Sequence, residues 1–179
     1  MFVCQQENNP QTTLKEPMVT RTLKEPMVTR IDYSEQDEQS VQFFNEIKHN
    51  LGGQSTQKIV KLVRAVLSQL RRTLSHEQTV VVIKNLPSLF QLLFVANWKY
   101  DDKNISVKHL DELVDNLYQE DRKSKESLFT SEIDTLNSVL LVLTKLDKFF
   151  GIIGLNVLRY SFTQELKQAA IEDPALINN

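Results

Sequence analysis

The sequence has very little cysteine, which limits its redox chemistry and its capacity to bind metals. Cys4 is the single cysteine among 179 residues. One thiol forms neither an internal disulfide nor a cysteine-rich metal site, so we expect a reducing, cytoplasmic location. Residues 1–13 are polar and lack the apolar region of a signal peptide. No run of about 18 uncharged apolar residues occurs, so we expect no membrane span.

Glycine and proline are also scarce, with four glycines and five prolines in the chain. β-Sandwiches and doubly wound α/β folds use many tight turns, which these two residues normally supply. The hydrophobic fraction is 41%, which is enough for an ordinary globular core. The composition therefore disfavours both of those folds.

An excess of charge of one sign is missing as well. The 21 Lys and Arg residues nearly balance the 23 Asp and Glu residues, and the formal net charge is −2. Such a balance produces no strong field that would hold the chain on nucleic acid or on an acidic membrane. We therefore expect neither of them as a partner.

The motifs of common catalytic sites are absent too. The sequence has no glycine-rich phosphate loop, no His-Glu-x-x-His zinc motif and no nucleophile elbow. Cys4 has no nearby histidine in the sequence that would activate its thiol. We expect that the protein is not an enzyme, holds no cofactor and has no catalytic or metal-binding residues.

The N-terminal part contains an exact tandem repeat, because residues 13–21 and 22–30 both read TLKEPMVTR. A unit this short, in two copies, does not build a solenoid, and Pro17 and Pro26 interrupt any continuous helix. We predict that residues 1–36 form a flexible arm. A duplicated linear binding motif is the alternative interpretation of the repeat.

Apolar residues recur every three or four positions over most of the remaining chain, which predicts amphipathic helices. The longest stripe runs from Ile59 to Leu74. The same spacing places Val41, Leu92 and Ile133 on inner helical faces. It also places Leu155 on the last helix. The run of residues 80–83 is interpreted as a buried helix. The prediction is an all-α fold, a compact bundle of about six or seven helices. Residues 37–121 would form one helical unit, and residues 122–179 a second unit that shares its core.

Several short signals predict where these helices begin and end. Gly52-Gly53 is a stop signal, because glycine tolerates the left-handed conformation that follows a helix. Ser75 with Gln78 three residues later is a capping box. Pro87 suits the first position of a helix, where its missing N–H is not needed. Ser106 is placed to cap the helix that contains Leu110.

Two groups of side chains on these helices bear on binding. Phe90, Phe94 and Trp98 follow one another at a spacing of four, so they form a row that is either core or, where it is exposed, an interaction surface. Basic residues decorate the outer arc of the long helix and are interpreted as a solvated face: Lys58, Lys61, Arg64, Arg71 and Arg72.

The order of these motifs carries a resemblance to a known family. Its units place a helix with a V-L-x-x-L-x-x-x-L pattern before a capped short helix, an L-P dipeptide and an aromatic close to G-W. The counterparts here are AVLSQLRRTL at residues 65–74, then Ser75-His76-Glu77, Leu86-Pro87 and Asn97-Trp98. Residues from about 40 to about 120 thus resemble the bacterial family called domain of unknown function 2267. A degenerate second unit would span about 128–170. The resemblance implies helical units and no particular activity.

A few carboxylates and histidines are the candidates for a different function. Glu46 and His49 have the Glu-x-x-His spacing of di-iron helices, although no second copy of that motif occurs. His109, Asp111 and Asp115 would have to converge with them. Such convergence would make the protein a small-ligand or metal-binding helical bundle, which is the alternative hypothesis.

The main hypothesis is an uncharacterised helical protein that acts as a non-catalytic protein–protein interaction or regulatory module. It would work through a protein partner or through self-association. We predict that His76 faces solvent and that Asp111 and Asp115 belong to a solvated acidic face.

Overall fold

The computed structural model of the chain describes residues 38–99 and 105–172. These residues belong to the unit Ser34–Asn179. The predicted arm with its tandem repeat lies outside the described residues. The predicted division into units 37–121 and 122–179 stays a prediction.

Seven α-helices make up most of the described residues, and no strand occurs among them, which confirms the all-α prediction. None of these helices is both long enough and apolar enough to cross a membrane. A short 3-10 helix, Ile153–Leu155, precedes the last of them. The helices are α1 (Glu38–Asn50), α2 (Thr56–Thr73), α3 (His76–Asn85), α4 (Ser88–Val95), α5 (Leu110–Asp121), α6 (Glu132–Phe150) and α7 (Tyr160–Glu172).

Helix α2 lies at the centre and packs against α1, α4, α5 and α6, while α7 packs against α5 and α6. The apolar stripe predicted for α2 is buried along its length. Burial of one such side chain stabilises the fold by about 2 kcal/mol. Aromatic rings form the part of the core between α1, α4 and the end of α6. The Phe43 ring of α1 lies 4.8 Å from Phe90 of α4 and 5.9 Å from Phe150 of α6, measured between centroids.

The helix boundaries follow the local signals in most places. The Ser75 side chain accepts from the Gln78 backbone N–H while the Gln78 side chain accepts from the Ser75 backbone N–H, so the predicted capping box is confirmed. Gly52 and Gly53 both have positive φ after α1, as the stop signal predicts. Pro87 is the cap residue before α4, one position earlier than predicted.

The predicted start of α5 is wrong. The structure places the N-cap at His109 instead of Ser106. The Leu110 backbone N–H donates to Glu165 Oε2 of α7 at 2.6 Å, so a carboxylate from another helix satisfies the free donor at this end. Such a cap leaves no local sequence pattern. The last helix likewise begins at Tyr160, and Leu155 lies in the 3-10 helix.

Several apolar side chains that the spacing places inside are exposed. Val41, Leu92 and Ile133 all face solvent, and in α1 Phe43 is buried in place of Val41. The run of residues 80–83 is helical, as predicted, but of these only Val82 is buried. Periodicity identifies the apolar arc of a helix but does not determine how much of that arc a neighbour covers.

Candidate interaction surface

The predicted aromatic row is divided between the core and the surface. Phe90 and Phe94 are fully buried, whereas Trp98 is 41% exposed. Phe90 lies against the rings of Phe43 and Phe150 in the core. The predicted surface of three aromatic residues is therefore narrowed to Trp98.

Helix α4 instead presents a different set of apolar side chains to solvent. Leu92 is 62% exposed and Val95 is 37% exposed, at spacings of three residues that end at Trp98. The Trp98 backbone N–H donates to the Val95 carbonyl oxygen at 3.1 Å, which ties the Trp98 backbone to the end of the helix. We call Leu92, Val95 and Trp98 the α4 ridge.

Asn97 makes the turn between Val95 and Trp98. Its φ of +57° lies in the left-handed region, which Asn and Gly adopt more readily than other residues do. The turn brings Trp98 back towards α2 and α3, where its ring lies 6.4 Å from that of His76, which is exposed as predicted.

Arg71 of α2 contacts the end of α4 and the ring of Trp98. Its Nη1 donates to the carbonyl oxygens of Phe94 and Ala96, the second at 3.5 Å, and its Cζ lies 5.5 Å from the centroid of the Trp98 ring. A cation at the C-terminal end of a helix interacts favourably with the helix dipole and its free carbonyl groups. Arg71 is buried, so its prediction as part of a solvated face is wrong.

A cleft of about 450 Å³ adjoins the ridge. One wall is α2, with Lys61 and Arg64, and the other is the connection between α5 and α6, with Lys125. Ala96 and Asn97 form an edge of the same cleft. We call this feature the basic cleft.

Asp121 fixes the second wall of the basic cleft. Its carboxylate accepts hydrogen bonds from Ser127 Oγ at 2.6 Å, from the Leu128 N–H at 2.9 Å and from the Phe129 N–H at 3.2 Å. Charge-assisted bonds to backbone N–H groups are stronger than neutral ones. The connection that carries Lys125 is therefore anchored at the end of α5.

A second cleft, of about 460 Å³, lies elsewhere on the molecule, between the turn that follows α2 and the start of α7. Its apolar lining comes from buried Leu74, Val107 and Phe162. Ser106 and Arg159 add polar groups and contact each other, Nη2 to Oγ, at 3.4 Å.

The candidate metal ligands are engaged in separate places. The Glu46 carboxylate pairs with Lys145 and Lys148 of α6, at 2.8 Å and 3.0 Å. His109 Nδ1 lies 2.5 Å from Glu165 Oε1 of α7, while Asp111 and Asp115 face solvent as predicted. Within residues 38–99 and 105–172, no three His, Cys, Asp or Glu side chains group to hold a metal ion.

The pair of His109 and Glu165 has shifted proton affinities. The hydrogen bond that protonated His109 donates to the Glu165 carboxylate raises the pKa of His109 above its ordinary value of 6.5, and the charges of Glu165, Asp111 and Glu112 act in the same direction. The same hydrogen bond, helped by that from the Leu110 N–H, lowers the pKa of Glu165 below 4.5. The pair therefore ties the start of α5 to α7.

Sequence reasoning missed most of this surface. The spacing places Leu92 on an inner face and Arg71 in solvent, and it gives no role to Val95 or Lys125. The available signal was the excess of apolar residues in α4, where Leu92 and Val95 extend the apolar arc beyond what one neighbouring helix covers.

The comparisons with known proteins agree with the motifs. The model of the family described as Uncharacterized conserved protein (DUF2267) matches residues 41–145, which is more than half of the chain. No curated protein matches the chain. The family match covers most of α1, all of α2 to α5 and most of α6, so it includes every residue of the ridge and the basic cleft. The chain therefore belongs to the DUF2267 family.

Proposed function

We propose that the protein is a non-catalytic protein–protein interaction or regulatory module, and that the α4 ridge is its docking surface. The observation that carries the proposal is the line of exposed apolar side chains formed by Leu92 and Val95 of α4 and by Trp98 in the turn that follows it. Exposed tryptophan and leucine side chains in one place are typical of protein interfaces. The proposed setting is the reducing cytoplasm of a bacterial cell.

The support behind Trp98 suits this role. The Trp98 backbone is tied to Val95 by a hydrogen bond, and the Arg71 guanidinium lies close to the indole ring. A side chain that is already ordered loses little conformational entropy on binding, so more of its contact energy contributes to affinity. Tryptophan is also enriched among the residues that dominate binding energy at interfaces.

The partner in this proposal is a protein, either a different one or a second copy of the chain. Neither nucleic acid nor a membrane is part of the proposal, because the net charge of −2 gives no broad attraction to a polyanion.

The test is a selection of peptides from a random library displayed on phage, with the full chain immobilised. Enriched peptides are synthesised, and their dissociation constants are measured for wild type, Leu92→Ser and Trp98→Ala. We expect Trp98→Ala to weaken binding about thirtyfold, the effect of a dominant interface residue. Light scattering of the full chain detects self-association in parallel.

Matched controls exist on other helices. Tyr160 is an exposed aromatic residue at the start of α7, and Ile133 is an exposed aliphatic residue in α6. Tyr160→Ala and Ile133→Ser should leave the affinities unchanged. A library that yields no enriched peptide, with a chain that stays monomeric, would contradict the proposal. Peptides that bind the ridge variants as tightly as wild type would contradict it too.

A second candidate function is the binding of a small ligand in the 460 Å³ cleft. Its apolar lining with Ser106 and Arg159 at the rim has the size and mixed chemistry of small-molecule sites. Ligand-observed NMR with a library of small aliphatic carboxylates tests it. Binding that Arg159→Gln removes would support this candidate, and the absence of any binder would eliminate it.

A further inference from the structure

We propose that the partner segment is acidic: its apolar side chains cover the α4 ridge while its carboxylates enter the basic cleft. This inference rests on the proposed function, and it adds the chemistry of the partner.

The first support is unpaired positive charge on both walls of the basic cleft. Arg64 lies on the α2 wall and Lys125 on the opposite wall. Among the residues that the structure describes, neither cation takes part in a salt bridge. A carboxylate between the walls would gain from both charges at once.

The second support is the state of the negative groups in the cleft. Asp121 already accepts hydrogen bonds from two backbone N–H groups and a hydroxyl, so its carboxylate charge is largely compensated within the protein. Glu126 pairs with Lys61 at 2.7 Å, and both side chains are well exposed. An exposed ion pair of this kind contributes little and exchanges partners readily. The cleft therefore retains a net positive charge towards a partner.

The third support is continuity between the cleft and the ridge. Ala96 and Asn97 line the cleft, and they stand between Val95 and Trp98 in the chain. One segment can therefore touch both features. Leu128 and Ala65 add apolar surface inside the cleft. A mixed apolar and cationic lining fits the side chains of an acidic peptide better than the evenly charged backbone of a nucleic acid.

The test uses three fluorescein-labelled peptides of equal length with leucine at the same helical positions. The remaining positions are Glu in the first peptide, Gln in the second and Lys in the third. Fluorescence anisotropy measures their binding to the full chain at low salt and at about 0.5 M NaCl, where exposed charges are screened. We expect the Glu peptide to bind about tenfold more tightly than the Gln peptide, the effect of about 1.4 kcal/mol.

The variant Arg64→Glu/Lys125→Glu should remove this preference. The control Lys84→Glu/Lys167→Glu makes the same change in net charge at exposed lysines outside the cleft, and it should keep the preference. Circular dichroism of each variant confirms that the helices are retained. High salt should reduce the preference in wild type and in the control variant, which both keep the cleft cations.

Other outcomes separate this inference from the function on which it rests. If the Glu and Gln peptides bind equally and Leu92→Ser weakens both, the ridge is a docking surface and the acidic partner is wrong. If Leu92→Ser weakens the binding of none of the peptides, the proposed function is wrong, and this inference is then wrong as well. Labelled single-stranded DNA that binds more tightly than the Glu peptide and is lost in the cleft variant would overturn the inference. A dimer that the cleft variant dissociates would make a second copy the occupant and would also overturn it.

Discussion

Lys145 is fully buried in the middle of α6, where an isolated ammonium group would be strongly destabilising. Its Nζ lies 2.8 Å from Glu46 Oε2 of α1, and Lys148 reaches the same carboxylate from the surface. Burial by itself would raise the pKa of Glu46, but the hydrogen bonds and charges of the two lysines outweigh it and hold the pKa below 4.5. The stabilisation is thus present above pH 4.5 and is lost as the pH falls.

Replacement of Glu46 by Gln should destabilise the protein by about 3 kcal/mol, because it removes the carboxylate that pairs with the buried Lys145. Urea unfolding at neutral pH measures the change. Glu126→Gln is the matched control, since Glu126 also pairs with a lysine but at an exposed site, and its free energy of unfolding should match wild type. Equal effects of the two substitutions would show that burial of the Lys145 pair has no energetic consequence.

His109 and Glu165 predict a pH dependence of stability. Because the pKa of His109 is raised, its contribution is complete below pH 6.5 and is lost as the pH rises through the higher folded value. Because the pKa of Glu165 is lowered, its contribution is complete above pH 4.5 and is lost at lower pH. The pair therefore stabilises the protein most between pH 4.5 and pH 6.5.

The measurement is the free energy of unfolding of wild type and of His109→Gln across this range. We expect the difference between them to be largest within the window and to shrink at either end, with NMR titration showing the raised pKa of His109. His49→Gln replaces a solvent-exposed histidine and should follow the wild-type profile. A difference that does not change with pH would contradict the prediction.

At the scale of elements, the helix ends show which local signals are sufficient. Ser75 caps α3 with a complete capping box, whereas Ser106, which has the same residue type before an apolar stripe, caps nothing because α5 begins later. Ser75→Ala should lower stability by about 1 kcal/mol, the usual effect of a lost N-cap. Ser106→Ala should leave the urea midpoint nearly unchanged. Similar losses in both variants would mean that Ser106 acts as a cap after all.

Helix α4 shows how a short element can serve both the core and the surface. Phe90 and Phe94 fill the core on one side, and Leu92 and Val95 are exposed on the other. At the C-terminal end of α4, the Arg71 guanidinium donates hydrogen bonds to backbone carbonyl oxygens, which the apolar side chains of this end cannot do. The guanidinium therefore serves the stability of α4 and the placement of Trp98 together.

At the scale of the whole molecule, the phenylalanine cluster connects distant parts of the chain. Phe43 of α1 contacts Phe90 of α4 and both Phe149 and Phe150 at the end of α6. A shared core of this kind is expected to unfold in one cooperative transition. Trp98 is the single tryptophan in the sequence, so its fluorescence reports on the first helices, and circular dichroism reports on all of them.

Phe43→Ala should destabilise the protein by about 4 kcal/mol, the usual effect of truncating a buried phenylalanine. The fluorescence and circular dichroism transitions should still coincide in urea for both wild type and the variant. Separate transitions would contradict the shared core and would indicate that residues 37–121 and 122–179 unfold independently.

The regular part of the fold could be predicted because its signals are local. The stripe from Ile59 to Leu74, the capping box at Ser75 and the glycines after α1 each need only a few neighbouring residues, and the structure confirms them. The start of α5 could not be predicted, since its free N–H group is satisfied by Glu165, which is 55 residues away. Of the three residues of the α4 ridge, the sequence predicts only Trp98, because the exposure of a side chain depends on which neighbouring helix covers it.

The sequence by itself determined the class of the fold, the family and most helix boundaries. Hydrophobic spacing, capping residues and glycine conformation act within one or two helical turns, so they can be read without knowing the neighbours. Only the tertiary structure decided that Arg71 is buried, that Lys145 pairs with Glu46 and that Leu92 is exposed. Those properties depend on residues of other helices that pack against each side chain. These distant residues determine how far the side chain is buried and which charges and hydrogen bonds it meets.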